Sequence, residues 1–391
     1  MSRSLDGVLL APDDTGGIRT SVGQLTIDAG RIASITPVDD RVEDVILPGF
    51  IDAHLHLPQF DCIGATGLPL LEWLDRVIFP AEVRWEDADL AGEMTTRVAR
   101  DLVSFGTTGI VAYATVHHDA TRAAMSALHE SGMRAEVRQV LMDTGPVDLV
   151  RPAYDLLAQI RTLDPIGRVS PCVSPRFALS CSMDLLAGAA TVAIERGQRL
   201  QTHFAETIPE CEAVRDRFGM AYLDVYERAG MLRPGTILAH AVHVDTGDLD
   251  RLRSSGALVA HCPTANEFLG SGAMRFGAMD GSMVLVGSDV AGGPDRSMVR
   301  VVHSMRETEH RTSGLEIPPA SCLHRITRGN AEALGWHDTG RLEVGAMADL
   351  VVLRPTIDWR GAPDPFGALL HAWDDRWIRE TWVAGERVHV A

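Results

Sequence analysis

The chain has 391 residues, 46% of them hydrophobic, with 53 acidic against 36 basic side chains and a formal net charge of −17. That length can bury a large core and exceeds the usual single-domain size unless the fold is a barrel. The acidic balance excludes nucleic acid and anionic membrane surfaces as the main partners, and leaves a neutral small molecule open.

The opening Met1-Ser-Arg-Ser-Leu-Asp6 has no apolar signal core and no later run reaches membrane-spanning length, so a cytoplasmic chain with no membrane partner is expected. Cys62, Cys172, Cys181, Cys211, Cys262 and Cys322 form no CxxC pair, which predicts free thiols rather than disulfides or a Cys-type zinc site.

In chain order, residues 8–10, 24–27 and 31–36 are short β-type runs separated by Gly, Asp and Pro, and residues 349–353, 378–383 and 387–390 mirror them. Neither end alone has enough strands for a stable sheet. Residues 1–45 and 343–391 are therefore expected to build one small β-sandwich domain, antiparallel, with residues 46–342 as the domain between.

In that middle region eight β-type runs alternate with helical patterns: 45–56, 109–116, 135–142, 168–174, 199–203, 236–240, 257–261 and 283–289, with helices over 70–75, 87–105 and 183–196 among the connections. This predicts an α/β fold of the (β/α)8 TIM-barrel type, whose usual size is about 250 residues. A doubly wound open sheet is the alternative, but no GxGxxG opens the first βα turn.

Five of the eight runs end in His or Asp: His56, His203, His240, His261 and Asp289. The C-terminal strand ends of such a barrel carry its active site. Within Pro-Gly-Phe-Ile-Asp-Ala-His-Leu-His-Leu-Pro-Gln-Phe (48–60), His54 and His56 stand two apart on a strand, so both imidazoles face one side and can chelate one divalent metal. His203 and Asp289 are expected to complete that site, since a buried strand-end carboxylate is costly unless paired or ligating. A bend after His203 would bring Glu206 over the metal as a general acid/base. Asp289 would also accept a proton, and His240 would either ligate or hydrogen-bond the reacting group. His261 reads equally well as structural or functional, and His243 is a weaker candidate than His240. His117 and His118 would at most line the mouth. His129, His303, His310, His324, His337, His371 and His389 read as ordinary surface or helical histidines.

These motifs, with His203-Phe-Ala-Glu206, Ser288-Asp289 and the closing Gly340-Arg-Leu-Glu-Val-Gly-Ala-Met-Ala-Asp-Leu-Val-Val-Leu353, resemble the aminohydrolases of the amidohydrolase superfamily over essentially the whole chain. Leu70-Leu-Glu-Trp-Leu74, Phe79-Pro-Ala-Glu82, Pro175-Arg-Phe-Ala-Leu-Ser-Cys-Ser182 and His261-Cys-Pro-Thr-Ala-Asn266 narrow the resemblance to the guanine deaminase family. It implies one divalent ion, zinc or less typically Fe²⁺, held by His54, His56, His203 and Asp289, with His240 ligating or beside it. It also implies substrate contacts at Gln59, Arg176 and Phe177, conversion of guanine to xanthine and ammonia, and a homodimer. The residue types agree: a guanidinium suits the O6 and N7 acceptors of guanine, an amide both donates and accepts, and a phenyl ring stacks on a planar heterocycle. A pterin, an oxidised purine or a triazine is the alternative substrate, and a non-catalytic barrel the remote one.

Overall fold

The structure, a computed structural model, describes residues 2–39, 41–279 and 281–391. Its strands are β1 Arg3–Pro12, β2 Ile18–Asp28, β3 Arg31–Pro37, β4 Val45–Pro48, β5 Phe50–His56, β6 Thr107–Tyr113, β7 Arg134–Leu141, β8 Val169–Pro175, β9 Gln201–Phe204, β10 Ile237–His240, β11 Leu258–His261, β12 Val284–Val286, β13 Leu350–Leu353, β14 Ile378–Val383 and β15 Glu386–Val390. Two compact units result: Met1–Asp52 with Ala99–Ile110 and Asp295–Ala391, and Ala53–Val98 with Val111–Pro294. Among the described residues no helix is long and apolar enough to cross a membrane.

The first unit contains one continuous seven-stranded sheet built from both termini, in the order β15-β14-β13-β4-β1-β2-β3. All its pairings are antiparallel except β1–β4, which is parallel. The parallel neighbour departs from the antiparallel expectation and arises because β4 slots between β1 and β13. Two hairpins turn through the same dipeptide, Ala29-Gly30 and Ala384-Gly385, with φ positive at all four residues. Such two-residue turns match the twist of paired strands. The turns also pack on each other: a side chain on Gly385 would lie 2.7 Å from Gly30 Cα. Leu9, Leu25, Ile27, Ile46, Leu350 and Trp382 pack in the sheet's hydrophobic core.

Strands β5 to β12 form the barrel. They fall into two four-stranded runs, β5-β6-β7-β8 and β9-β10-β11-β12. The bridge Val173↔Leu200 joins the runs, and His56 N–H···O Val290 and Asp289 N–H···O His54, both 2.8 Å, close the ring. Gly287 stands at this closure because a Cβ there would meet the His54 backbone nitrogen at 2.7 Å. β5 and β6 are buried along their whole length, as a strand covered on both faces requires.

The barrel matches the eight runs read from the sequence, with shifted ends. β6 stops at Tyr113 rather than 116, and β12 is only three residues long, so Asp289 lies beyond it. The helix Met183–Arg196 starts on a Ser182 hydroxyl that accepts from Leu185 N–H and ends at left-handed Gly197.

Candidate active site

The strand ends of the second unit converge. Ligand atoms of His54, His56, His203 and Asp289 all lie within 4.8 Å of one another. Asp289 Oδ1 is 3.1 Å from His54 Nε2 and 3.2 Å from His56 Nε2, and His56 Nε2 is 3.2 Å from His203 Nε2. Metal–nitrogen bonds of 2.0–2.1 Å place tetrahedral ligands about 3.3 Å apart. The four groups thus stand at the spacing of one coordination shell.

The surrounding bonds select the tautomers. His203 Nδ1 is 2.7 Å from the Arg176 carbonyl, so Nδ1–H donates there and Nε2 keeps its lone pair for the centre. His54 Nδ1 is 2.9 Å from the Gln201 amide nitrogen, while the buried Gln201 Oε1 has no hydrogen-bond partner. Turning that amide over satisfies Oε1 with His54 Nδ1–H and frees Nε2 to ligate. The donor set fits a divalent metal of the zinc class.

Burial supports the same protonation states. It pushes the His54 pKa down to about 3, lowers His56 and holds His203 well below the usual range. Burial alone would raise Asp289, but the His54 and His56 imidazoles 3.1 and 3.2 Å from its Oδ1 outweigh it and keep the carboxyl well below the ordinary carboxylate value. Neutral imidazoles and an ionised carboxylate are the forms that bind a cation.

Glu206 reaches the centre because β9 ends at Phe204 and the chain turns through left-handed Ala205, φ 49°. The turn is held by a capping box at Thr207 and Glu210 and by Glu206 N–H donating to Glu210 Oε2 at 2.9 Å. Glu206 Oε1 accepts from Ser271 Oγ at 2.9 Å and Oε2 lies 3.5 Å from His240 Nε2. Burial raises Glu206 to about 7, helped by Asp289 and Glu210. His240 is raised too: burial opposes its charge, but Glu206 and Asp289 outweigh burial. Glu206 thus stands beside His240 with its carboxyl raised toward neutrality, where a group can both give and take a proton. His240 stands beside the converging four, its Nε2 4.0 Å from Asp289 Oδ2 and its Nδ1 2.8 Å from Asn266 Oδ1. Its φ of 74° and the 50° of Asp289 are left-handed values that concentrate at functional sites.

A pocket opens over this centre, with His56, His203, Glu206, His240 and Asp289 in its wall. Gln59, Arg176 and Phe177 all line it. Glu82, to which sequence reasoning gave no role, ties the first two together: Gln59 Nε2 donates to Glu82 Oε1 at 2.9 Å, and Arg176 Nη1 to its two oxygens at 2.7 and 2.5 Å. Gln201 also went unnoticed, although its register two before His203 puts both on one face. Ser271 and Asn266, the latter closing the His261–Asn266 motif, received no role either. His118 is spent on Gln139 at 2.9 Å and Thr162 at 3.3 Å, and neither His117 nor His118 lines the pocket. His243 bonds the Ser271 carbonyl at 2.8 Å, supporting the loop that reaches Glu206. His261 is buried at the end of β11 and does not line the pocket.

The sequence model of the Amidohydrolase family matches residues 45–388. The chain belongs to the amidohydrolase family. Among its relatives in that family, "Probable guanine deaminase" of Deinococcus radiodurans is 35% identical over 372 residues, covering 90% of this chain and 83% of the relative. The human "Guanine deaminase" is 30% identical over 379 residues, covering 88% and 83%. A solved guanine deaminase of C. acetobutylicum, with guanine bound in its active site, superposes with a TM-score of 0.89 at 25% identity, covering both chains fully. This amidohydrolase therefore has the barrel and small β domain of the family.

Proposed function

We propose that this amidohydrolase converts guanine and water to xanthine and ammonia. The observation that carries the reading is one pocket lined by His56, His203 and Asp289 of the four-donor cluster, by Glu206 and His240, and by Gln59 and Arg176, which Glu82 ties together behind it. The guanine held by the C. acetobutylicum relative supports the choice of heterocycle.

His54, His56, His203 and Asp289 would hold one divalent ion, with zinc favoured by three neutral imidazoles and a carboxylate. When bound, the ion supplies Lewis-acid activation of water near neutral pH. Arg176 and Gln59 would grip the polar edge of the base, and Phe177 its face. Water adds at C2 while Glu206 places a proton on the ring. Asp289 takes the proton released by the water. Glu206 then takes up the proton of the new C2 hydroxyl and passes it to the exocyclic nitrogen, which leaves as ammonia as the C2 carbonyl forms, and the proton held on Asp289 restores Glu206 for the next cycle. His240 Nε2, next to Glu206 Oε2, steadies the oxygen at C2.

The test is guanine turnover by the metal-loaded chain, followed by ultraviolet absorbance and released ammonia, beside Glu206→Gln. The expected result is xanthine formation in the unaltered chain and a loss of about 10²–10⁴-fold in the variant with metal content unchanged. Full activity of Glu206→Gln would sink the proton path. No guanine turnover with metal bound would move the substrate to a pterin or another amino-heterocycle.

A further inference from the structure

We propose that His303, Glu307 and His371 form a second divalent-metal site, of the zinc class, on the surface of the first unit. His303 and Glu307 lie four apart on the helix Met298–Ser313 and therefore share a face. His371 is the last residue of the helix Pro365–His371, where the helix dipole favours a cation. His303 Nε2 is 3.0 Å from His371 Nδ1 and 3.9 Å from Glu307 Oε1, and the three donor atoms all lie within 4.8 Å of one another. These separations bracket the ligand spacing of about 3.3 Å set by zinc–nitrogen bonds.

At present one imidazole donates a hydrogen bond to the other; a zinc ion would replace that proton and bridge both nitrogens. Arg306 Nη1 holds Glu307 Oε1 at 2.8 Å, so the carboxylate ligates through Oε2 or turns away from the arginine. His303 and Glu307 are 35% and 46% exposed, so water completes the shell and the ion exchanges freely. The ion would cross-link the two helices.

The experiment is metal counting on the full chain after equilibrium dialysis against micromolar Zn²⁺, with thermal unfolding of the same samples. Two equivalents per chain are expected, falling to one in His371→Ala and in Glu307→Gln, with catalytic turnover unchanged. Excess Zn²⁺ should raise the melting temperature of the unaltered chain and leave His371→Ala unmoved. A single equivalent in the unaltered chain, or a second equivalent retained in both variants, overturns the site.

The buried carboxylate of Glu82 carries an independent inference, which rests on the guanine reading: we infer that Glu82 is the positioning residue for substrate recognition. A carboxylate only accepts hydrogen bonds, so Gln59 must turn its NH₂ toward Glu82, leaving Oε1 as the acceptor for a ring N–H. The same carboxylate holds Arg176 Nη1 and leaves Nη2 for a ring oxygen. The pair presents an acceptor beside a donor, the complement of the N1–H and O6 edge of guanine. Glu82 and Arg176 are 0% and 3% exposed, so the orientation is rigid.

Glu82→Gln should raise KM for guanine at least tenfold with a smaller change in kcat and unchanged metal content, and Glu82→Asp should recover part of the loss. An unchanged KM in a folded Glu82→Gln chain overturns the role. If the unaltered chain leaves guanine untouched, the substrate assignment fails, and the same KM comparison on the heterocycle it does accept decides Glu82.

Discussion

Two clusters in this protein offer imidazole and carboxylate donors at metal-ligand spacing, and their surroundings differ completely. His54, His56, His203 and Asp289 sit at the ends of barrel strands, with Asp289 only 8% exposed. His303, Glu307 and His371 sit on helix surfaces open to water. In the buried cluster, desolvation strips protons from the imidazoles, and Gln201 and the Arg176 carbonyl fix the tautomers before any ion arrives. In the exposed cluster one imidazole spends a proton on the other, and Arg306 competes for the carboxylate. The contrast teaches that ligand identity alone does not make a reactive centre. Preorganisation and exclusion of water separate a catalytic site from a site that can only bind.

The sharpest way to break the comparison is to remove a buried ligand. His203→Ala should lose the first metal equivalent and reduce turnover by on the order of 10⁴-fold or more, because water activation is lost outright; metal counting and guanine kinetics check both. Residual activity near the unaltered level would mean that the buried cluster is not the reactive one.

A supporting group should matter less. Gln201→Leu keeps every ligand but removes the partner of His54 Nδ1. Metal affinity is expected to fall about 10–100-fold, measured by chelator competition. An unchanged affinity would show that packing alone orients His54.

The smallest expected effect is a stability slope with pH in the metal-stripped chain. His54, ordinarily near 6.5, is held down to about 3 by burial, and His56 and His203 are shifted the same way. As pH falls below 6.5, the unfolded chain takes up protons that the folded chain refuses, so stability present above 6.5 is lost progressively on acidification. Glu206, raised to about 7, and Glu210 and His240, raised as well, act in the opposite sense, but burial also lowers His117, His303, His324 and His389 alongside the three ligand imidazoles. Denaturant midpoints after chelation should fall from pH 7.5 to pH 5. A flat profile would contradict burial as the source of the neutral ligands.

Much of the site was legible because strand geometry is local. The two-residue spacing of His54 and His56 sets a shared face whatever the rest of the chain does. His203, His240 and Asp289 close apolar runs, and a barrel has one end at which such residues gather. The bend that swings Glu206 inward was also readable, although the left-handed turn falls at Ala205, after the last residue of β9. Gln201 was within reach of the same alternation argument. Glu82 was not: it lies 23 residues from Gln59 and 94 from Arg176, in a helical segment where an acidic residue normally faces solvent.

The same division holds for the fold. Alternating runs and turn residues determined that there would be eight barrel strands and that the two ends would share a β domain. They could not determine that β4 lies parallel to β1, or that His303 and His371, each ordinary in its own helix, meet at 3.0 Å. Periodicity encodes which way a side chain points. Which distant side chain it then meets depends on how elements pack, and that information exists only once the chain has closed on itself.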